Sequence, residues 1–194
     1  MKLFGRFKSK RRSKVAKVPA IEYDKEAQAK LAVPLGKREL IPNIGMYIAE
    51  VLKENGITMQ FGVGGGHIWQ IRDEISRIGI KTITFGHEQN SVYAAEAYSQ
   101  ATQRPAVAYG TVGPGAANSF SAIHQAYTSD TPIVFYAGGH EFEHDNMQNT
   151  LQESYAAEFF RARGVCKDAR GILYLEQAKQ AFTMAFKESM NAPS

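Results

Sequence analysis

The sequence predicts an α/β fold: a three-layer, Rossmann-like parallel sheet with helices on both faces. Short apolar runs alternate with helical patterns of ten to fifteen residues. Most of those runs are apolar throughout, as strands covered on both sides must be. Glycine clusters stand where the runs end. Such alternation folds as right-handed βαβ units around a parallel sheet. With 194 residues, 44% of them hydrophobic, the chain can bury one sizeable core. We read residues 38–194 as a single domain, preceded by a basic arm and linker over 1–37.

Each element follows from its own pattern. In "ELIPNIGMYIAEVLKENG", Ile44, Tyr47, Ile48, Val51 and Leu52 recur at helical spacing, and Asn55-Gly56 stops the helix. "ITMQFGVG" is a strand that runs into glycines. "HIWQIRDEISRIG" reads as a helix with Ile68, Ile71, Ile75 and Ile78 on one face. "IKTITFG" is the next strand, and "EQNSVYAAEAYSQAT" a helix with small residues at Ala94, Ala97 and Ala101. "PAVAYGTV" is a strand, "GPGAANSFSAIHQAYTS" a glycine turn opening a helix, and "TPIVFYAGG" another strand. "LYLEQAKQAFTMAFKESM" closes the pattern as a last helix.

Charge is unevenly spread. Residues 1–18 hold eight of the 23 Lys/Arg and none of the 19 Asp/Glu, so fifteen bases face 19 acids in the rest. The arm therefore has little to bury and repels itself. It reads as a solvated tail or as a tether to nucleic acid or an anionic surface. The body is not basic, which argues against a nucleic-acid-binding protein. No apolar run approaches the ~20 residues of a membrane-spanning helix, and the arm lacks the apolar stretch of a secretory signal. A single cysteine, Cys166, allows no disulfide within the chain and points to a reducing, cytoplasmic setting.

In a parallel sheet, ligands sit beyond the carboxyl ends of the strands. Four loops then matter: Gly64–His67, Gly86–Glu88, Thr111–Asn118 and Gly138–His144. Gly64, Gly65 and Gly66 suit a close backbone approach or a tight turn. They do not form the dinucleotide fingerprint, because His67 takes the third glycine position. Glu88, between a strand end and a helix start, is either a dipole-stabilised acid or a carboxyl group aimed into the cleft. Gly113-Pro114-Gly115 opens a helix whose N–H groups can face a polar ligand. Asn118 is placed in the first turn, to cap it or to reach that ligand.

"HEFEH" (His140 to His144) matches the H-E-x-x-H pattern of zinc peptidases. That chemistry needs a regular helix through both histidines. Gly138-Gly139 before the stretch and Asp145, Asn146, Asn149 and Thr150 after it favour a loop. Glu153 and Glu158 could supply a third ligand, but a surface or interface loop is the better reading, with no metal site.

Together the loops resemble the pyrimidine-binding (PYR) domain of thiamine-diphosphate enzymes of the acetolactate synthase, benzaldehyde lyase and 2-hydroxyacyl-CoA lyase type. The resemblance is carried in order by Gly65-Gly66, His87-Glu88-Gln89, Ala97-Tyr98, Gly113-Pro114-Gly115 with Asn118, Asp130 with Pro132, and "LQES" from Leu151. It covers roughly residues 38–170.

The resemblance implies thiamine diphosphate as cofactor, with Glu88 hydrogen-bonded to N1′ of its aminopyrimidine. It implies cofactor contacts at Gly65, Gly66, Gly113, Pro114, Gly115 and Asn118. His67, His87 and Gln152 are the residues it offers to a substrate, although His87, like His124, also reads as structural. One departure stands out: the family often has proline where this chain has Gly64, so a looser rim is expected.

The family binds Mg²⁺ and the diphosphate through a separate domain with a G-D-G…N motif, and no GDG occurs here. Nor is there room for the FAD-carrying domain of some members. The resemblance therefore implies one subunit of a split, hetero-oligomeric enzyme. Such an enzyme would make or break a C–C bond beside a carbonyl of a 2-oxoacid or acyl-CoA-type substrate, and this chain alone would be inactive. The initial Met and complete final helix argue for a natural subunit and leave an accidental fragment open. A non-catalytic regulatory or interaction module is the alternative, and retention of Glu88 counts against it.

Overall fold

The computed structural model describes residues 42–139, 160–161, 163–172 and 174–191. The basic arm 1–37, the HEFEH stretch, Gln152, Glu153 and Glu158 lie outside the described residues.

Helix α1 (Ile44–Glu54) is capped by Asn43, whose side chain accepts from the Met46 N–H at 3.1 Å, satisfying one of the donors a helix start leaves open. The chain then alternates as read: β1 (Met59–Gly62), α2 (Trp69–Arg77), β2 (Lys81–Thr84), α3 (Glu88–Thr102), β3 (Ala106–Gly110), α4 (Pro114–Thr128) and β4 (Ile133–Ala137). Helix α5 (Leu175–Met190) follows later in the chain. A 3₁₀ turn (Gly66–Ile68) leads into α2, so His67 lies just outside the α-helix expected to include it. Ile78 also departs from expectation. It is the C-cap residue of α2 and 38% exposed, because Gly79 at φ 86° turns the chain away.

The four strands pair in parallel in the order β2-β1-β3-β4. Side chains alternate across the sheet, so each face has its own core. One face carries Val107, Tyr109, Val134 and Tyr136 against Ile48, Leu52, Ile75 and Phe182 of α1, α2 and α5. The other carries Phe61, Ala106 and Ala108 against Val92 and Ala95 of α3 and Ala122 of α4. Both faces of the sheet are therefore covered, as the apolar strands require.

The first face contains polar groups that find each other. Gln60 is fully buried; its amide donates to the Thr82 hydroxyl at 3.0 Å and its carbonyl accepts from the Tyr136 hydroxyl at 2.6 Å. Tyr109, also fully buried, lies flat over the neighbouring strand. A Cβ added at Gly62 would sit 2.5 Å from its ring atoms. Glycine is needed there for lack of space, since Gly62 pairs with Tyr109 in register. On the opposite face, Glu96 is only 4% exposed. Its carboxylate accepts from Gln125 at 2.9 Å and Ser129 at 2.7 Å, which ties α3 to the end of α4.

Two outcomes follow from this packing. Gly62→Ala forces the Tyr109 ring to move, and overpacking of this kind costs about 1–3 kcal/mol, to be read from the midpoint of a urea melt. Burial pushes the Tyr136 hydroxyl well above its ordinary value of 10.0, with Tyr109 adding to the effect and Arg72 opposing it. The unfolded chain ionises this phenol first, so stability is intact below pH 10 and declines as the pH rises past it. Tyr136→Phe leaves the Gln60 carbonyl unpaired, at about 1–3 kcal/mol near neutral pH. The same variant should show a shallower alkaline loss when melts are compared on either side of pH 10.

Candidate cofactor site

Because all four strands are parallel, the residues after Gly62, Thr84, Gly110 and Ala137 emerge along one edge of the sheet. The described parts of the four loops singled out in the sequence share this rim.

Glu88 is the first residue of α3 and half-buried. A carboxylate at a helix N-terminus is favoured by the dipole. His87 precedes it as the N-cap, its Nδ1 accepting from the Gln89 N–H at 3.2 Å. The structure thus gives His87 a capping role. The Asn118 amide donates to Glu88 Oε2 at 3.2 Å, and beside it the Gln89 amide donates to the Ser121 hydroxyl at 2.7 Å. These two bridges fix the start of α3 against α4. Asn118 is the fifth residue of α4 rather than a first-turn residue, so it does not cap that helix and instead holds the carboxylate. Glu88 Oε1 makes no hydrogen bond among the described residues.

The glycine loop meets the third loop closely. A Cβ added at Gly65 would come within 2.3 Å of Thr111 Oγ1, and one at Gly115 within 2.9 Å of Thr111 Cγ2. Thr111 is thereby wedged between Gly65 and Gly115, and only glycine fits on either side of it. Gly113, at φ 57°, is the N-cap of α4, and Pro114 takes the first helical position, where a missing N–H costs nothing. Ser119 closes the turn by donating to the Gly115 carbonyl at 2.9 Å. At Gly66 an added Cβ would meet nothing within 4 Å, so space lies open above the loop.

The fourth loop touches the first, since a Cβ at Gly138 would approach His67 Cβ at 2.8 Å. A cavity of about 790 Å³ borders β4 and is lined at this end by His67, Gly113 and Gly138. Glu88, Gly65, Gly66 and Asn118 do not line it. The predicted residues therefore do not converge on one place: Glu88 and Asn118 meet between α3 and α4, Gly65 and Gly115 close on Thr111, and His67 and Gly113 line the cavity.

The geometry adds residues that the sequence reading passed over. Ser121 is new, and Thr111 and Gln89, named in the sequence only as loop and motif positions, join it in organising the rim; their partners lie about 30 to 50 positions away, so local pattern carries no sign of these roles. Arg72 did leave a signal: it stands at helical spacing between Ile68 and Ile75, a charge on an apolar stripe.

The donor set suits a polar heteroaromatic group. A carboxylate with one oxygen held and the other available can bond a ring nitrogen, while side-chain-free backbone permits close approach. Comparison with known proteins identifies the family. Residues 42–159 match the family model of the thiamine pyrophosphate enzyme, N-terminal TPP binding domain. Acetolactate synthase of Bacillus subtilis is 30% identical over 152 residues, 78% of this chain and 26% of that protein. The acetolactate synthase large subunit IlvG of Mycobacterium tuberculosis is 40% identical over 94 residues, 48% of this chain and 17% of that protein. The 2-hydroxyacyl-CoA lyase 2 of Xenopus laevis is 37% identical over 94 residues, 48% of this chain and 14% of that protein. A crystal structure assigned to the thiamin diphosphate-dependent enzymes, from Mycobacterium smegmatis, superposes with a TM-score of 0.67 at 20% identity. That superposition covers 74% of this chain and 27% of the other, and it shows a shared fold. The chain spans roughly a quarter or less of the length of these relatives. With the family model matched over more than half of its residues, this chain belongs to the thiamine pyrophosphate enzymes as an N-terminal TPP binding domain.

Proposed function

We propose that this chain is the pyrimidine-binding subunit of a split thiamine-diphosphate enzyme that makes or breaks a C–C bond next to a carbonyl. Its reaction is of the 2-oxoacid decarboxylase, carboligase or 2-hydroxyacyl-CoA lyase type, and Glu88 is the activating carboxylate. The observation that carries this reading is Glu88 itself, at the start of α3 on the sheet's carboxyl edge, with Oε2 held by Asn118 and Oε1 left for a ligand. In this reading 38–194 is the working domain, and the cytoplasm is its setting.

Thiamine diphosphate supplies carbanion stabilisation beside a carbonyl when bound. The chain's own residues bind and orient it. Glu88 Oε1 would hold or share a proton at the pyrimidine N1′, with Asn118 keeping the carboxylate in one rotamer. Gly65 and Gly66 would let the ring edge approach the backbone, and the Gly113–Pro114–Gly115 turn with Asn118 would border it. Proton sharing at a carboxylate requires a site with little water, and Glu88 is only half-buried in this chain. A partner surface would complete the enclosure. That partner would carry the G-D-G…N domain and hold the diphosphate through Mg²⁺. His67, which lines the cavity, is the residue of this chain that we place toward the substrate, with Gln152 as a second.

Two measurements test this. Thiamine diphosphate binding, followed by calorimetry with Mg²⁺ present, should be seen for the chain co-purified with a G-D-G…N subunit and not for either chain alone. Tight binding by the isolated chain would refute the split site. In the reconstituted complex, Glu88→Gln should leave folding and assembly intact and lower kcat by about 10²–10⁴-fold, the usual worth of a positioned acid–base group. Full activity in that variant would remove Glu88 from the role.

A further inference from the structure

The strongest unexplained group in the molecule is the Arg72 side chain. It projects from α2 on the same stripe as Ile68 and Ile75, both fully buried. Its Cζ lies 5.5 Å from the centroid of the Tyr109 ring. A Cβ added at Gly64 would come within 2.7 Å of Nη1, so the guanidinium is packed under the glycine loop at the carboxyl edge.

The guanidinium has no counter-charge among the described residues. Nε is sealed from solvent and unpaired, and Arg72 makes no hydrogen bond or ion pair among the described residues. Of the two acids that follow it on its helix, Asp73 is exposed and forms no ion pair with it, and Glu74 is committed to Arg77 at 2.9 Å and to Asn43 at 3.2 Å. Tyr109 and Tyr136 feel the cation, but burial raises both phenols above their ordinary value, so they stay neutral and do not balance it. Stacking on an aromatic face offsets part of the desolvation of a cation and leaves the fork edge unused. A partly buried, unpaired cation is costly, and a planar fork of N–H donors matches carboxylate or phosphate oxygens.

We propose that Arg72, stacked on Tyr109 beneath Gly64, is an anion receptor that takes a carboxylate or phosphate group presented at the rim. The receptor rests on the surroundings of the guanidinium alone. Only the identification of its anion with part of the substrate rests on the function proposed above. On that identification it separates the two substrate types, because a 2-oxoacid presents a carboxylate and an acyl-CoA presents phosphates.

The test uses the full chain labelled with ¹⁵N-arginine. The Arg72 Nε–H resonance, assigned with Arg72→Lys, is followed while pyruvate or inorganic phosphate is added at constant ionic strength. A saturating shift is expected with one or both, and which anion produces it names the source. Arg72→Leu should bind at least ~10-fold more weakly by calorimetry, the loss of a charge-assisted hydrogen bond. Glu88→Gln should bind the anion as the parent chain does, which keeps this result separate from the thiamine experiment. No saturating shift with either anion, the same shift with chloride, or undiminished binding by Arg72→Leu would each overturn the proposal. The resonance of the parent chain decides the question even if Arg72→Leu fails to fold.

Discussion

Parallel pairing of β1 with β2 on one side and β3 on the other sets Gly62 opposite both Thr84 and Tyr109. The rim follows from those rows. Since the strands run the same way, their exits share an edge, and each exit feeds a helix start or a turn. Adding a residue to β1 would turn Gly62 to the other face and put a side chain where the Tyr109 ring now lies. The Arg72 guanidinium rests on that ring, and the glycine loop rests on Arg72. One close contact in the sheet thus supports the first loop of the candidate site.

The two faces of the sheet divide the work. On the α1–α2–α5 side, the buried Thr82–Gln60–Tyr136 chain ties β2 and β1 to β4 across the intervening strand. Polar groups buried in this way stabilise one register over others, because a slip leaves each of them unpaired. On the α3–α4 side the sheet presents small residues, Ala106 and Ala108, and the helices come close to it and to each other. Glu96 locks α3 to the far end of α4, and Asn118 and Ser121 lock it near the rim. Glu88 is therefore placed by two helices held at both ends, a more rigid mount than a loop provides.

Much of this was legible in the sequence, for a physical reason. Burial on both sides leaves an apolar run, a one-sided helix leaves 3.6-residue spacing, and Gly-Pro-Gly marks the start of α4. Helix α3 begins and ends where its pattern does. The Ile78 misreading shows the limit: its spacing fits the apolar stripe, but Gly79 ends the helix before the side chain can join it. Pairings across the fold were not legible at all. Asn118 meets Glu88 across 30 positions, and only the packing of α3 on α4 decides that this asparagine binds a carboxylate and not its own helix end.

The remaining feature is how open the candidate site is. Glu88 is half-buried and Asn118 exposed, although both sit on well-packed helices. A carboxylate in that setting is screened by water. The same two residues beneath a second protein surface would be in a drier medium, where a single hydrogen bond from Asn118 and one to a ring nitrogen carry far more weight. The rigid mount is present among the described residues and the dry enclosure is not. For chemistry that depends on proton sharing, the enclosure must come from outside the described residues, and the open face between α3 and α4 is where it would have to close.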